Sequence, residues 1–432
     1  MRAVDLIQKK KDGFEHTKEE IFFLVENYTN GLIEDYQMSA WLMAVCFQGL
    51  SDAETAYLTE AFVKSGDILD FSSISSNVAD KHSTGGVGDK VTLVLIPILA
   101  SLGVYCAKLS GRGLGFTGGT IDKLEAIPNF KTELSNEDFF KQIKEIKAAI
   151  SSQSPNLTPA DGKIYALRDV TATVDNKSLI CASVVSKKIA SGANSIVLDV
   201  KFGDGAFLKT YEEAKELSDL MVKTGKLLNR NIDVVISAMN QPLGRCVGNS
   251  LEVIESIEFL KGHYEDDLYE IVEELALKTL LNCKIVNDPK TAKEMIKKVI
   301  LNGEALNKLK EIISYQKGNT DVINDYGLFN QAKNVYEIKA GSSGFITDLK
   351  ALDVAHSAKL LGAGRDKKSD KIDFSAGVEL FKKIGDKVQK DEVIAKMYFN
   401  DVEKSKLDDS IKIINSAFII GDNEPQKPRL VY

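Results

Sequence analysis

Two short glycine-rich segments carry the residue types needed for chemistry on a small anion. The first, Lys81-His-Ser-Thr-Gly-Gly-Val-Gly-Asp-Lys90, lies between a strand-like run and an apolar, helix-like run. At such a junction the leading backbone N–H groups of a helix have no intrahelical partner, and the helix dipole favours negative charge. Glycines let the backbone come close to a bound group. Lys81 adds a positive charge, Ser83 and Thr92 add hydroxyl donors, and His82 adds a group that titrates near neutral pH. The set suits an oxyanion such as phosphate. Its spacing is neither that of a P-loop nor that of a dinucleotide-binding turn. Alone, it reads equally well as a turn serving backbone geometry only.

The second segment, Lys108-Leu-Ser-Gly-Arg-Gly-Leu-Gly-Phe-Thr-Gly-Gly-Thr-Ile-Asp-Lys-Leu-Glu125, again follows a strand-like run and opens a helix. Two such bends on neighbouring parallel strands converge at the carboxyl edge of a sheet, where open α/β folds bind their ligands.

The elements that must position these bends are legible from pattern. Thr17-Lys-Glu-Glu20 and Ser51-Asp-Ala-Glu54 are capping boxes ahead of apolar-periodic segments, so residues 1–65 read as a small all-α domain. A polar, serine-rich hinge spans 66–80. Beyond it strand, bend and helix alternate: a strand from residue 78, a helix over 89–102, a strand over 104–109 and a helix over 121–126. This alternation implies parallel strands joined by helical crossovers. The β-rich runs 195–201 and 232–237 read as central strands buried on both faces. A large mixed α/β domain is therefore expected over 80–155 and 191–335, its central sheet mainly parallel, with an α+β domain over 336–432.

Composition bounds the function classes. With 432 residues, 44% of them hydrophobic, the chain exceeds the size of a single core. Its net charge of −7 argues against a general nucleic-acid surface, so any anion site must be local. Cys46, Cys106, Cys181, Cys246 and Cys283 form no C-x-x-C pair and fit a reducing compartment. The N-terminal Met1-Arg-Ala-Val-Asp5 lacks a signal-peptide apolar stretch, and the uncharged run 91–107 is shorter than the ~20 residues of a membrane span. A cytoplasmic chain without membrane association is expected, and the run 91–107 reads as a buried helix leading into a strand.

Together the two bends resemble the thymidine and pyrimidine-nucleoside phosphorylase family, whose motifs S-G-R-G-L-x-x-T-G-G-T-x-D-x-L-E and K-H-S-T-G-G-V-G-D they match. The similarity continues through Tyr165-Ala-Leu-Arg-Asp-Val-Thr-Ala-Thr-Val174 and Ser183-Val-Val-Ser-Lys-Lys188 and is vaguest in the C-terminal region. The resemblance implies a helical domain, joined by residues of about 160–190, hinged to an α/β domain in a homodimer. It implies phosphorolysis of uridine, thymidine or deoxyuridine to base and (deoxy)ribose 1-phosphate, with inorganic phosphate as co-substrate and no organic cofactor. Carried over by motif, the phosphate ligands are Lys81, Ser83, Thr92, Lys108, Ser110 and Thr120. The base ligands are Arg168, Ser183 and Lys187, with Tyr165 and Leu114 nearby. His82 stands as general acid toward the base, or as a contact to a sugar hydroxyl or to phosphate. Arg112, Asp122 and Glu125 brace the second bend.

The chain departs from the family pattern at three places. Phe116 stands where many members have histidine. Lys108 resembles the branch that accepts uridine as well as thymidine, whereas thymidine-specific enzymes tend to carry methionine there. The family also has a monovalent cation site, here Gly88, Lys90, Leu243, Cys246 and Glu255, at which Lys90 replaces threonine. Either the Lys90 ammonium takes the ion's place and pairs with Glu255, removing the need for potassium, or Lys90 points into solvent from the first helical turn. Two rival readings remain. One is an anthranilate-type phosphoribosyltransferase, which would need acidic residues for magnesium pyrophosphate. The other is a carrier module, because 385–397 faintly resembles a lipoyl or biotinyl hairpin.

Overall fold

The computed structural model describes residues 1–113, 118–154, 156–365, 367 and 370–432. Its largest sheet is built from β1 (Val78–Ser83), β2 (Tyr105–Ser110), β3 (Ala148–Ser152), β4 (Ser195–Phe202) and β5 (Asn231–Ala238), in the order β3-β2-β1-β4-β5. Strands β2 and β3 run parallel, from Cys106 opposite Ala148 to Ser110 opposite Ser152. The order reverses between β1 and β4, and crevices at such switch points receive ligands. The bend after β1 lies there: Thr84 donates its N–H to Asp199 O at 3.0 Å, and its Oγ1 accepts from Lys201 N at 2.9 Å. No helix among the described residues is long and apolar enough to cross a membrane.

The chain divides into two compact units. The first comprises Met1–His82, Gln153–Val197 and Lys215–Val234. Its helices Lys18–Thr29 and Asp52–Lys64 begin at the expected capping boxes, with Thr17 and Ser51 accepting from Glu20 N and Glu54 N. The side chains of Glu20 and Glu54 return the bond to the Thr17 and Ser51 N–H groups. Leu24, Trp41, Leu42, Val45, Leu58 and Phe62 form the core of this bundle. Ala160, Ile164, Leu179 and Ala182 from the later helices Pro159–Asp169 and Lys177–Ala190 complete it. Sequence position does not decide membership; the apolar face does. His16 sits inside this core, accepting a hydrogen bond from Trp41 Nε1 at 3.0 Å.

The second unit comprises Ser83–Ser152, Leu198–Ala214 and Val235–Tyr432. At its centre the helix Val91–Ser101 is buried along nearly its whole length. The helices Asn249–Leu260, Asp266–Asn282 and Glu304–Tyr315 pack around it. That enclosure explains an uncharged run too short for a membrane. The helix starts two residues later than the expected 89; Asp89 precedes its N-cap residue Lys90, and the Asp89 carboxylate accepts the Val91 N–H at 3.3 Å.

The C-terminal portion is α+β. One of its antiparallel sheets takes in β6 (Cys246–Val247) and adds β7 (Asn334–Lys339), β9 (Gly377–Leu380) and β11 (Val393–Phe399). The other consists of β8 (Gly344–Leu349), β10 (Lys387–Val388) and β12 (Phe418–Gly421). Helices Ala351–Ala358 and Lys404–Ala417 pack on each other. The pairing of Cys246 with Glu379 and Val247 with Val378 fastens the tail to the segment just before helix Asn249–Leu260. Lys396 lies mid-strand in β11 beside Glu337, not at a hairpin turn, so the carrier-module reading fails.

Leu58 is fully buried in the first unit's core. Leu58→Ala is expected to cost about 2–5 kcal/mol in that unit. The single tryptophan, Trp41, lies in the same core and reports its denaturant unfolding by fluorescence. An unshifted Trp41 midpoint would contradict this packing.

Candidate active site

The first bend owes its shape to two constraints. Gly88 has φ +69°, and a Cβ there would meet Leu243 O at 2.6 Å, so no side chain is tolerated. Asp89 closes the bend from within: its Oδ2 accepts from Ser83 Oγ at 2.6 Å, while Ser83 Oγ accepts from Gly85 N at 3.2 Å. The Ser83 hydroxyl is thus oriented by the loop. Thr92 is buried on the first turn of the following helix. Lys81 is buried on β1, and His82 follows it at intermediate exposure.

The second bend is braced as expected. Arg112 makes a bidentate pair with Glu125 at 2.6 and 2.7 Å and reaches Asp122 at 3.2 Å. Asp122 in turn accepts the Gly113 N–H at 2.7 Å and pairs with Arg365 at 2.9 Å. Burial alone would raise the Glu125 carboxyl, but hydrogen bonds from Arg112 and Thr132 outweigh it and hold the group below its ordinary value. Gly119 is required by close approach, since a Cβ would stand 2.1 Å from Gly113 N. Lys108 is buried on β2, Ser110 ends that strand, and Thr120 opens the next helix. Leu114 and Phe116 lie outside the described residues.

One residue that the sequence reading passed over joins the two bends. Lys123, on the helix after the second bend, donates to Asp89 O in the first at 2.7 Å and pairs with the buried Glu252 at 2.8 Å. Nothing local in the sequence marks this pair, because its members are far apart along the chain and each sits in an ordinary helical pattern.

The candidate base residues occupy two helices of the first unit. Tyr165 and Arg168 share a face of Pro159–Asp169; Ser183 and Lys187 share a face of Lys177–Ala190. Arg168 is buried, its Nε donating to Thr173 O at 3.0 Å, Nη2 to Val174 O at 2.6 Å and Nη1 to Leu179 O at 3.3 Å. Burial pulls its pKa below the ordinary value, with Asp161 and Tyr165 opposing. Lys187 Nζ donates to Ser183 Oγ at 2.9 Å and pairs with Asp161 at 2.5 Å. Asp161 was missed in the sequence, although its spacing of four and seven residues from Tyr165 and Arg168 puts it on their face.

The residues of the expected cation site also come together. Lys90 is fully buried, and its Nζ donates to Leu243 O at 2.8 Å, Cys246 O at 3.1 Å and Glu255 Oε2 at 2.5 Å. The solvent-pointing alternative is therefore excluded. Gly88 stands at the edge of this cage, its hypothetical Cβ 3.4 Å from the ammonium.

Paired glycine bends on an α/β framework, with a helical bundle carrying a second polar set, define a transferase of the glycosyl type. Descriptions of known families agree: "Glycosyl transferase family, helical bundle domain" matches residues 4–66, "Glycosyl transferase family, a/b domain" matches 75–306, and "Pyrimidine nucleoside phosphorylase C-terminal domain" matches 345–420. The chain is 49% identical to a pyrimidine-nucleoside phosphorylase of Staphylococcus haemolyticus over 96% of each chain. It is 46% identical to that of Geobacillus stearothermophilus over 100% of this chain and 99% of the other. Its fold resembles the solved anthranilate phosphoribosyltransferase of Thermus thermophilus, with TM-score 0.58 and 16% identity over 73% of this chain and 100% of that one. The chain belongs to the pyrimidine-nucleoside phosphorylase family.

Asp122 is the common acceptor for the second bend's backbone and two arginines. Asp122→Ala releases that bend and is expected to lower kcat/KM for phosphate on the order of 10–100-fold through misplacement alone. Initial rates with phosphate varied check this; an unchanged kcat/KM would contradict the bracing role.

Proposed function

We propose that the chain catalyses reversible phosphorolysis of pyrimidine nucleosides, transferring a (deoxy)ribosyl group from the base to inorganic phosphate. The observation that carries this reading is the joining of two glycine bends into one framework by Lys123, Asp89, Arg112 and Asp122. In this reading Lys81, Ser83, Thr92, Lys108, Ser110 and Thr120 hold the phosphate. A phosphate oxygen forms its bond to C1′ as the C1′–N1 bond breaks, and the bonding pair leaves with the base, spreading onto its carbonyl oxygens.

Donors aimed at those oxygens lower the barrier because they meet charge that exists only as the bond breaks. Within its unit Arg168 spends three N–H groups on carbonyls, Nε, Nη1 and Nη2 giving one each. A guanidinium has five, so two are left for a base carbonyl. Ser183 and the Lys187 ammonium add further donors, and Asp161 fixes the direction of Lys187. His82 supplies a proton to the base O2 or, in the other reading, holds a sugar hydroxyl or the phosphate. Lys108 favours acceptance of uridine and thymidine alike over a thymidine-specific enzyme. The phosphoribosyltransferase alternative has the fold likeness but not the reason for Arg168, Ser183 and Lys187.

Exposed apolar side chains on the helical unit, Phe14, Leu32, Tyr36 and Phe47, support a homodimer formed through that unit. Light scattering of the intact protein should return twice the 47.4 kDa chain mass, and a monomer would exclude this assembly. A cytoplasmic location is part of the same proposal.

Purified protein incubated with uridine, thymidine and deoxyuridine should release base only when phosphate is present, with pentose 1-phosphate formed in equal amount. Arg168→Ala should lower that rate on the order of 10²–10³-fold. Equal base release without phosphate would make the enzyme a hydrolase and overturn the proposal.

A further inference from the structure

The backbone from Pro242 to Cys246 is stretched between two lysine ammonium groups. Lys383 Nζ donates to Pro242 O and Gly244 O, each at 3.0 Å, and pairs closely with Asp267. Lys90 Nζ takes two other carbonyls of the stretch, Leu243 O and Cys246 O, and pairs with Glu255. The two carboxylates bind the N–H groups of the same stretch: Gly244 N to Asp267 at 3.2 Å, and Arg245 N and Cys246 N to Glu255 at 2.7 and 3.0 Å.

An ammonium has three N–H donors and no acceptor. All three of Lys90 are used, on two carbonyl oxygens and one carboxylate oxygen, an all-oxygen set that suits a monopositive ion. Space around it is filled: a Cβ on Gly244 would stand 2.8 Å from Lys90 Nζ and 2.4 Å from Glu255 Oε1. Charge is also balanced. Lys90 offsets Glu255, and Lys123 offsets the neighbouring Glu252. A potassium ion placed here would be a buried charge without a counter-charge, which is costly. The residues present therefore do not fit the ion that the family pattern implies.

We infer that the Lys90 ammonium is a built-in replacement for a monovalent cation, tying the first glycine bend to the 242–246 stretch so that this enzyme holds phosphate without potassium. Lys90 follows Gly88 and Asp89 directly, so an anchor on its side chain fixes the end of the bend. The inference rests on the phosphorylase reading for its activity readout only.

The test compares wild type and Lys90→Thr, exchanging potassium for choline at constant ionic strength, and reads both Tm and the KM for phosphate. The wild type should show no potassium-specific change in either. Lys90→Thr in choline should show a phosphate KM raised on the order of tenfold or more, from a loosened bend. Potassium should restore it and raise the variant's Tm by a few degrees, as a ligand that binds only the folded state does. A variant that folds only in potassium would support the inference equally. Potassium raising the Tm of the wild type, or lowering its phosphate KM severalfold, would overturn it. So would a folded Lys90→Thr with no potassium response. If the variant folds in neither salt, the wild-type comparison decides alone. Absence of phosphorolysis would defeat the proposed function while the Tm comparison still stands.

Discussion

A bend that presents bare backbone N–H groups to an anion has to be rigid, yet glycine, which permits the approach, resists order more than any other residue. In this protein the rigidity is supplied by ion pairs placed behind the bends. Asp89 gathers Ser83 and Val91, Asp122 gathers Gly113 and two arginines, and Lys123 links the bends through Asp89 O. Several of these groups are buried, where an unpaired charge would be strongly destabilising. Each has its counter-charge or carbonyl, so the arrangement is stable only when all of it is in place. The glycines supply contact, and the charges supply position.

The same division of labour holds on the helical unit. Arg168 is held by three carbonyls around residues 173–179, and Lys187 by Asp161 and Ser183. These side chains project from helices that also contribute Ile164, Leu179 and Ala182 to the bundle core. Packing energy from the core is thereby converted into fixed orientation of cationic donors, which is what stabilising a departing anion requires.

Much of this was legible in the sequence, and the illegible part has a common cause. The capping boxes at Thr17 and Ser51, the buried helix within 91–107 and the central strand β4 follow from local periodicity, and the structure has them. Strand β5, also read as central over 232–237, instead lies at the edge of the sheet and is only partly buried in its first half. The glycine bends are visible because glycine spacing is itself a backbone statement. Asp161 could have been found from helical spacing. Lys123 with Glu252, Lys383 with Asp267 and β6 with β9 could not, since each joins segments far apart in the chain through side chains or strands unremarkable in their own neighbourhoods. Lys90 lies between these cases. A lysine beginning an apolar helix reads as a solvated charge, and only the oxygen set assembled by Leu243, Cys246 and Glu255 makes its burial intelligible.

The central claim is that two braced bends form one anion site. A crystal of the intact protein soaked in phosphate tests it most directly. The account predicts tetrahedral density held by the backbone N–H groups of the first bend together with the hydroxyls of Ser83, Ser110 and Thr120. Phosphate bound elsewhere, with both bends unliganded at saturating concentration, would contradict it.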